Sequence, residues 1–215
     1  MQHPQKIFVL HQAILLQYLP NPVPKPPVIG LLRLTRQYRN YNFIGDLEQF
    51  LIRMGIGYNL TENNNNVLLG YGFILSQPYT AGTDEKTTTT ENRIYEQFIT
   101  RQNFGLVFIQ HRYRLEERFL SSGYKTRVRY SLSLNIPINK PVIEKNAFYV
   151  SAYNEIFLYF TSPVFDRDRV YGAVGYAINN NLRLETGIMY QLYETSSRPQ
   201  FQIVFANNIP LTKSK

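Results

Sequence analysis

A chain of 215 residues suits one β-domain, since barrels and sandwiches often run to about 200–250 residues as single units, and the absence of cysteine excludes disulfide frameworks and thiolate metal sites. A net charge of +8 and a pI near 9.6 first suggest nucleic acid or an anionic surface. The distribution argues against nucleic acid: every lysine lies in a terminus, turn or strand end, whereas most arginines lie inside periodic apolar segments.

The first 28 residues differ from the rest, with six of the twelve prolines at Pro4, Pro20, Pro22, Pro24, Pro26 and Pro27. Residues 22–27 are expected to be extended and cannot join a central strand. Upstream, residues 6–19 suit one short helix or strand. The apolar stretch 13–19 is short, is interrupted by Gln17 and precedes no small-residue cleavage site, so no export signal is recognisable there. The expectation is an irregular segment over 1–28, a linker or partial plug, followed by a barrel domain over 29–215.

From residue 29 onward strand-like segments alternate with polar turns. The candidates are 29–39, 47–58, 67–77, 94–101, 106–119, 125–134, 147–159, 167–178, 182–193 and 200–207. Most approach the roughly 9–11 residues of a tilted membrane-spanning strand, about twice the length of an ordinary globular strand. No stretch reaches the roughly 18–20 consecutive apolar residues of a membrane-spanning helix. Turn chemistry is strong at 63–66, 121–123, 179–181 and 196–199. The longest connection runs from about 78 to 92, and if it is extracellular the tight 179–181 turn falls on the periplasmic side, as short turns of such barrels do. Alternate turns would then be periplasmic, and ten strands would leave both chain ends on that side.

Within strands, charges occupy one parity and apolar residues the other. In 106–119, Gln110, Arg112, Arg114, Glu116 and Arg118 oppose Ile109, His111, Tyr113, Leu115 and Phe119. The next segment sets Arg127, Arg129, Ser131 and Ser133 against Val128, Tyr130, Leu132 and Leu134, and the later strands repeat the scheme. A slip of one residue would move every charge to the apolar side, which fixes the register. Period 2 alone does not say which face is wet. Strand length, aromatic residues near strand ends and the use of Arg rather than Lys on the polar face favour a barrel with charges inside and lipid outside. The fold expected is all-β: an antiparallel up-and-down transmembrane barrel of about ten strands (8–12).

The residues also resemble a known family. The segments carrying the likeness are 50–58, Leu69-Gly70-Tyr71-Gly72, Tyr95-Glu96-Gln97-Phe98, 111–119, Arg127-Val128-Arg129-Tyr130 and Tyr153-Asn154-Glu155-Ile156-Phe157. The combination of Arg112-x-Arg114-x-Glu116-x-Arg118 with Asn154-Glu155-Ile156-Phe157 is its most specific part. Together they resemble the family called domain of unknown function 2490, from about Arg36 to the last strand. The resemblance implies an outer-membrane β-barrel of Gram-negative, Bacteroidetes-type bacteria. It implies no activity, and it leaves residues 1–28 unmatched.

The candidate site is the inward charge set: Arg53, Glu96, Arg112, Arg114, Glu116, Arg118, Arg127, Arg129, Glu155, Arg167, Arg169, Arg183 and Glu185. Its plain reading is a structural network in which Arg and Glu neutralise one another and fill a narrow interior. Because Arg outnumbers Glu, the alternative is a porin-like, narrow, anion-preferring passage with small anionic solutes as partners. A lipid-modifying enzyme is less supported, since His111 falls on the opposite parity from Ser131 and Ser133 and no nucleophile–base pair forms. A soluble lipocalin-like binder would invert the faces. No motif calls for a metal or other cofactor. The expected partner is outer-membrane lipid.

Overall fold

The computed structural model describes residues 7–17, 30–41, 45–61, 65–80 and 82–210. Every regular element among them is a strand. The chain begins with β1 (Ile7–Gln17), β2 (Gly30–Asn40), β3 (Leu47–Asn59) and β4 (Asn65–Ser76). It continues through β5 (Thr89–Phe104), β6 (Val107–Leu120), β7 (Gly123–Pro137) and β8 (Phe148–Tyr159). It ends with β9 (Phe165–Ala177), β10 (Leu182–Leu192) and β11 (Ser197–Pro210). Neighbours in sequence are neighbours in space, and the sheet closes into a barrel.

β2 to β11 are the ten segments expected from the alternation, and they pair antiparallel throughout. β1 adds an eleventh strand, within the 8–12 expected, and one parallel pair. It lies inside the segment expected to stand apart from the barrel, and it fills the seam between β2 and β11. It pairs antiparallel with β2, from Phe8 opposite Asn40 to Gln17 opposite Leu31. With β11 it pairs in parallel, from Ile7 opposite Gln200 to Gln17 opposite Pro210. Eleven sequential antiparallel strands can close only through one such parallel pair, and closure leaves no row of unpaired edge amides. The proline-rich stretch 20–27 and the tail 211–215 lie outside the described residues.

β1 starts with Ile7 at the mouth that carries the 77–88 connection, and β11 ends with Pro210 at the opposite mouth. The 77–88 connection is itself a small hairpin, bridged between Tyr79 and Lys86. It docks on the turn between β2 and β3, where the Lys86 ammonium pairs with the Asp46 carboxylate and donates to the Leu47 carbonyl at 2.8 Å. This mouth is called the hairpin mouth below.

The apolar parity faces outward. Met54, Ile56, Leu69, Val174 and Ile188 are among the large side chains on that face, each about half exposed or more. Aromatic pairs mark both rims, exposed Phe119 with exposed Tyr124 at the hairpin mouth and exposed Phe148 with half-buried Tyr176 at the opposite one. Inside, aromatic rings and charged groups share the space. Tyr95 lies over Gly70 and Tyr149 over Gly175, so closely that a methyl group on either glycine would sit within about 2.2 Å of the ring. The two glycines therefore seat the two rings, as bare backbone under a large side chain often does.

Candidate functional site inside the barrel

Cross-strand register assembles the charges. β6 places Glu116 opposite Tyr95 of β5 and Arg127 of β7, while Arg114 stands opposite Gln97 and Arg129. Arg129 in turn faces Phe157 of β8, and Glu155 faces Ser131 of β7 and Arg169 of β9. Alternation alone thus turns these side chains to one enclosed side.

Glu116 is the centre and is fully buried. Its Oε2 accepts from Arg127 Nη2 at 2.6 Å and Nε at 3.1 Å. Its Oε1 accepts from Arg129 Nη1 at 2.6 Å and Arg93 Nη1 at 3.4 Å. Arg129 donates its other Nη to Glu155 at 2.7 Å, so one guanidinium bridges two carboxylates. Glu155 also accepts from Arg112 at 2.6 Å. Arg169 Nη1 stands 3.8 Å from it. Glu91 takes Arg118 in a two-bonded fork at 2.7 and 2.9 Å and binds Arg93 as well. Planar guanidinium forks on carboxylates are the geometry for which Arg is suited and Lys is not. The ring of Phe157 sits among them, with the guanidinium carbons of Arg129, Arg169 and Arg127 at 4.4, 4.7 and 4.9 Å from its centroid.

Of the thirteen residues expected in the set, nine lie in this neighbourhood: Arg112, Arg114, Glu116, Arg118, Arg127, Arg129, Glu155, Arg167 and Arg169. Arg183 and Glu185 face inward at the opposite mouth, where Tyr171 donates to Glu185 at 3.0 Å and Arg183 reaches the Ile143 carbonyl at 3.5 Å. Arg53 also faces inward, yet it makes no ion pair among the described residues. Glu96 is a correction: it is exposed on the outer wall, opposite Leu69 and Leu115. It stands one position off the inward parity of β5, which carries Glu91, Arg93, Tyr95, Gln97 and Ile99.

The network also contains acids that alternation did not reveal. Register breaks at Glu48 of β3, between the pairs Arg39–Gln49 and Asn40–Leu47, and at Asp166 of β9, between Phe157–Arg167 and Leu158–Phe165. Each break is a β-bulge, which re-aims one extra side chain. Glu48 meets Arg198 at 2.7 Å and Arg39 at 3.8 Å. Asp166 meets Arg127 at 2.5 Å and Arg167 at 3.0 Å. Glu91 was hidden because the expected strand began at residue 94, whereas β5 begins at Thr89. Beyond the barrel wall, in the hairpin, a hydrogen bond to the Asp46 carboxylate pushes the Tyr79 hydroxyl above its ordinary range.

His111 lies on the outer parity with its Nδ1 2.9 Å from the Tyr130 hydroxyl, while Ser131 and Ser133 face inward. Wall backbone separates them, so they form no nucleophile–base pair. Among the described residues no three His, Asp or Glu side chains are placed to hold a metal ion.

Fold and site together define a class: a closed β-barrel whose interior holds an arginine–carboxylate network and whose outer wall is apolar. Within that class the chain belongs to the family described as protein of unknown function (DUF2490), whose family model matches residues 31–202. The match begins in β2 and leaves β1 outside it. No curated protein and no solved structure matches the chain.

Proposed function

We propose that this protein is an outer-membrane β-barrel of a Gram-negative bacterium, with lipid against its apolar wall and an interior network that braces the barrel rather than performing chemistry. The observation that carries the reading is the inverted distribution of side chains. Arg114, Glu116, Arg127, Arg129 and Glu155 are buried inside, while Ile56, Leu69, Val174 and Ile188 are exposed outside. Monomeric soluble proteins rarely expose a contiguous apolar patch beyond a few hundred Å². A wall of alternating strands with apolar residues outward and polar residues inward is what a membrane barrel requires. A lipocalin-like carrier would need Val128, Tyr130 and Leu132 inside, on the face opposite to the one they occupy.

The test is extraction and gel migration. The protein is expected to require detergent and to migrate differently before and after boiling. Glu116→Gln should lower the temperature of that conversion, because removing one partner of a buried ion cluster costs about 3–5 kcal/mol. A chain that stays in solution without detergent and shows one mobility contradicts the reading.

The surplus of interior arginine over carboxylate favours one second reading, a narrow anion-preferring pore. Planar-bilayer conductance separates the two. The bracing role expects silence from the refolded chain, and anion-selective steps would replace it with the pore.

A further inference from the structure

Toward the hairpin mouth the interior charges enclose a cavity of about 100 Å³. Its wall contains eight arginines and a single carboxylate, Glu91. Counting every acid those arginines touch adds Glu48, Glu116, Glu155 and Asp166. Eight guanidinium charges thus meet five carboxylates, an excess of at least three positive charges around a small enclosed space. Some of these acids are also shared with arginines outside the cavity, Arg112 and Arg198 among them.

A second observation points the same way. The Nε–H groups of Arg53, Arg129 and Arg167 are buried and have no hydrogen-bond partner among the described residues, and that of Arg39 has only the Glu48 carboxylate at 3.8 Å, beyond hydrogen-bond reach. All four arginines line this cavity. Arg39 and Arg129 are each only 5% exposed, and Arg53 has no ion pair at all among the described residues. A buried donor left without an acceptor costs about 1–3 kcal/mol, more when it is charged. Four around one cavity ask for a common acceptor.

We propose that this cavity is a binding site for a small inorganic oxyanion of the phosphate or sulfate class, with Arg39, Arg53, Arg129 and Arg167 supplying the free donors. Such an anion presents several acceptor oxygens to donors arriving from different strands, and guanidinium groups match its geometry. The size agrees. The space is many times the ~10–15 Å³ that one water needs on the same measure, enough for one tetrahedral oxyanion. Water filling the same space could accept hydrogen bonds but would leave the excess charge in place. The bound anion would tie β2 and β3 to β7 and β9 across the interior. The inference depends on the closed barrel and its interior, whatever covers the outer wall.

The test uses the full chain refolded in lipid-free detergent, in chloride buffer of fixed ionic strength free of phosphate and sulfate. Added inorganic phosphate should raise the unfolding temperature, and native mass spectrometry should show one retained phosphate per barrel. Arg53→Gln, which removes a cation without breaking an ion pair, should fold at least as stably as the parent without phosphate. Its affinity for phosphate should fall at least about tenfold, equivalent to ~1.4 kcal/mol. Arg36→Gln, on the outer wall, should respond to phosphate like the parent. If Arg53→Gln fails to fold, Arg39→Gln, which leaves Glu48 its closer pair with Arg198, is read for its loss of phosphate affinity alone. An equal temperature rise with matched chloride, no retained phosphate, or an undiminished response in the Arg53 or Arg39 variant overturns the proposal.

Discussion

Arg129 shows how one residue type sets the character of the interior. Its two terminal nitrogens hold Glu116 and Glu155 at 2.6 and 2.7 Å, and its face lies over Phe157. Lysine offers one rotating ammonium and could not do all three. Most such residues are legible from parity, because a strand has only two sides. Three acids were not, for different reasons. Glu48 and Asp166 sit on bulges that break the count of two, and Glu91 lies in a polar stretch that reads as loop. Glu96 failed in the opposite sense: the run Tyr95-Glu96-Gln97-Phe98 offers a polar residue on each parity, and Gln97, not Glu96, faces inward with Arg114 on its Oε1 at 2.5 Å. Outward Glu96 has Leu69 and Leu115 directly across from it. A carboxylate at that position costs about 1–2 kcal/mol if lipid lies against it, less than the cost of a basic residue at the bilayer midplane. Glu96→Leu is therefore expected to raise the stability of the bilayer-refolded protein by that amount in denaturant titration. A loss of stability there would count against an apolar surround.

At the scale of the element, ten strands follow from alternation and one does not. In β1 apolar residues stand side by side, Ile7, Phe8, Val9 and Leu10 and then Ala13, Ile14, Leu15 and Leu16, so no face is marked and helix and strand compete. Tertiary pairing decides it. The facing edges of β2 and β11 supply two rows of partners, and β1 satisfies both. The parallel register pairs Ala13 with Ala206. Adjacent strands lie about 4.7–4.9 Å apart, inside the ~4.4–6.8 Å range of Cα separations that a disulfide spans. Because the chain has no cysteine of its own, Ala13→Cys combined with Ala206→Cys should form an internal crosslink on oxidation, seen as a shift on a non-reducing gel. Its absence would mean that the segment does not close the seam.

Over the whole molecule, the side chains are arranged against the usual order of a soluble protein, and the sequence already contained that order as a phase: charges on one parity, aliphatic and aromatic groups on the other. The expected count of about ten strands (8–12) comes close to the eleven found, and what the phase did not reveal was β1 and the parallel pair by which it closes the seam. The contacts that hold the barrel across its interior were also hidden. Arg198 of β11 reaches Glu48 of β3 at 2.7 Å over 150 positions of sequence, spanning the two strands between them. No local pattern encodes a pairing of that range.

The central claim is that the apolar wall meets hydrocarbon, and the absence of tryptophan permits a direct measurement. Met54 is 49% exposed on the outer face of β3, with Leu34 and Tyr71 as its cross-strand neighbours. A Met54→Trp variant refolded into vesicles carries one indole at that point. Its fluorescence should be quenched by lipids brominated along the acyl chain and should be insensitive to aqueous iodide. Quenching by iodide with no effect of the brominated lipid would place the wall in water and contradict the account.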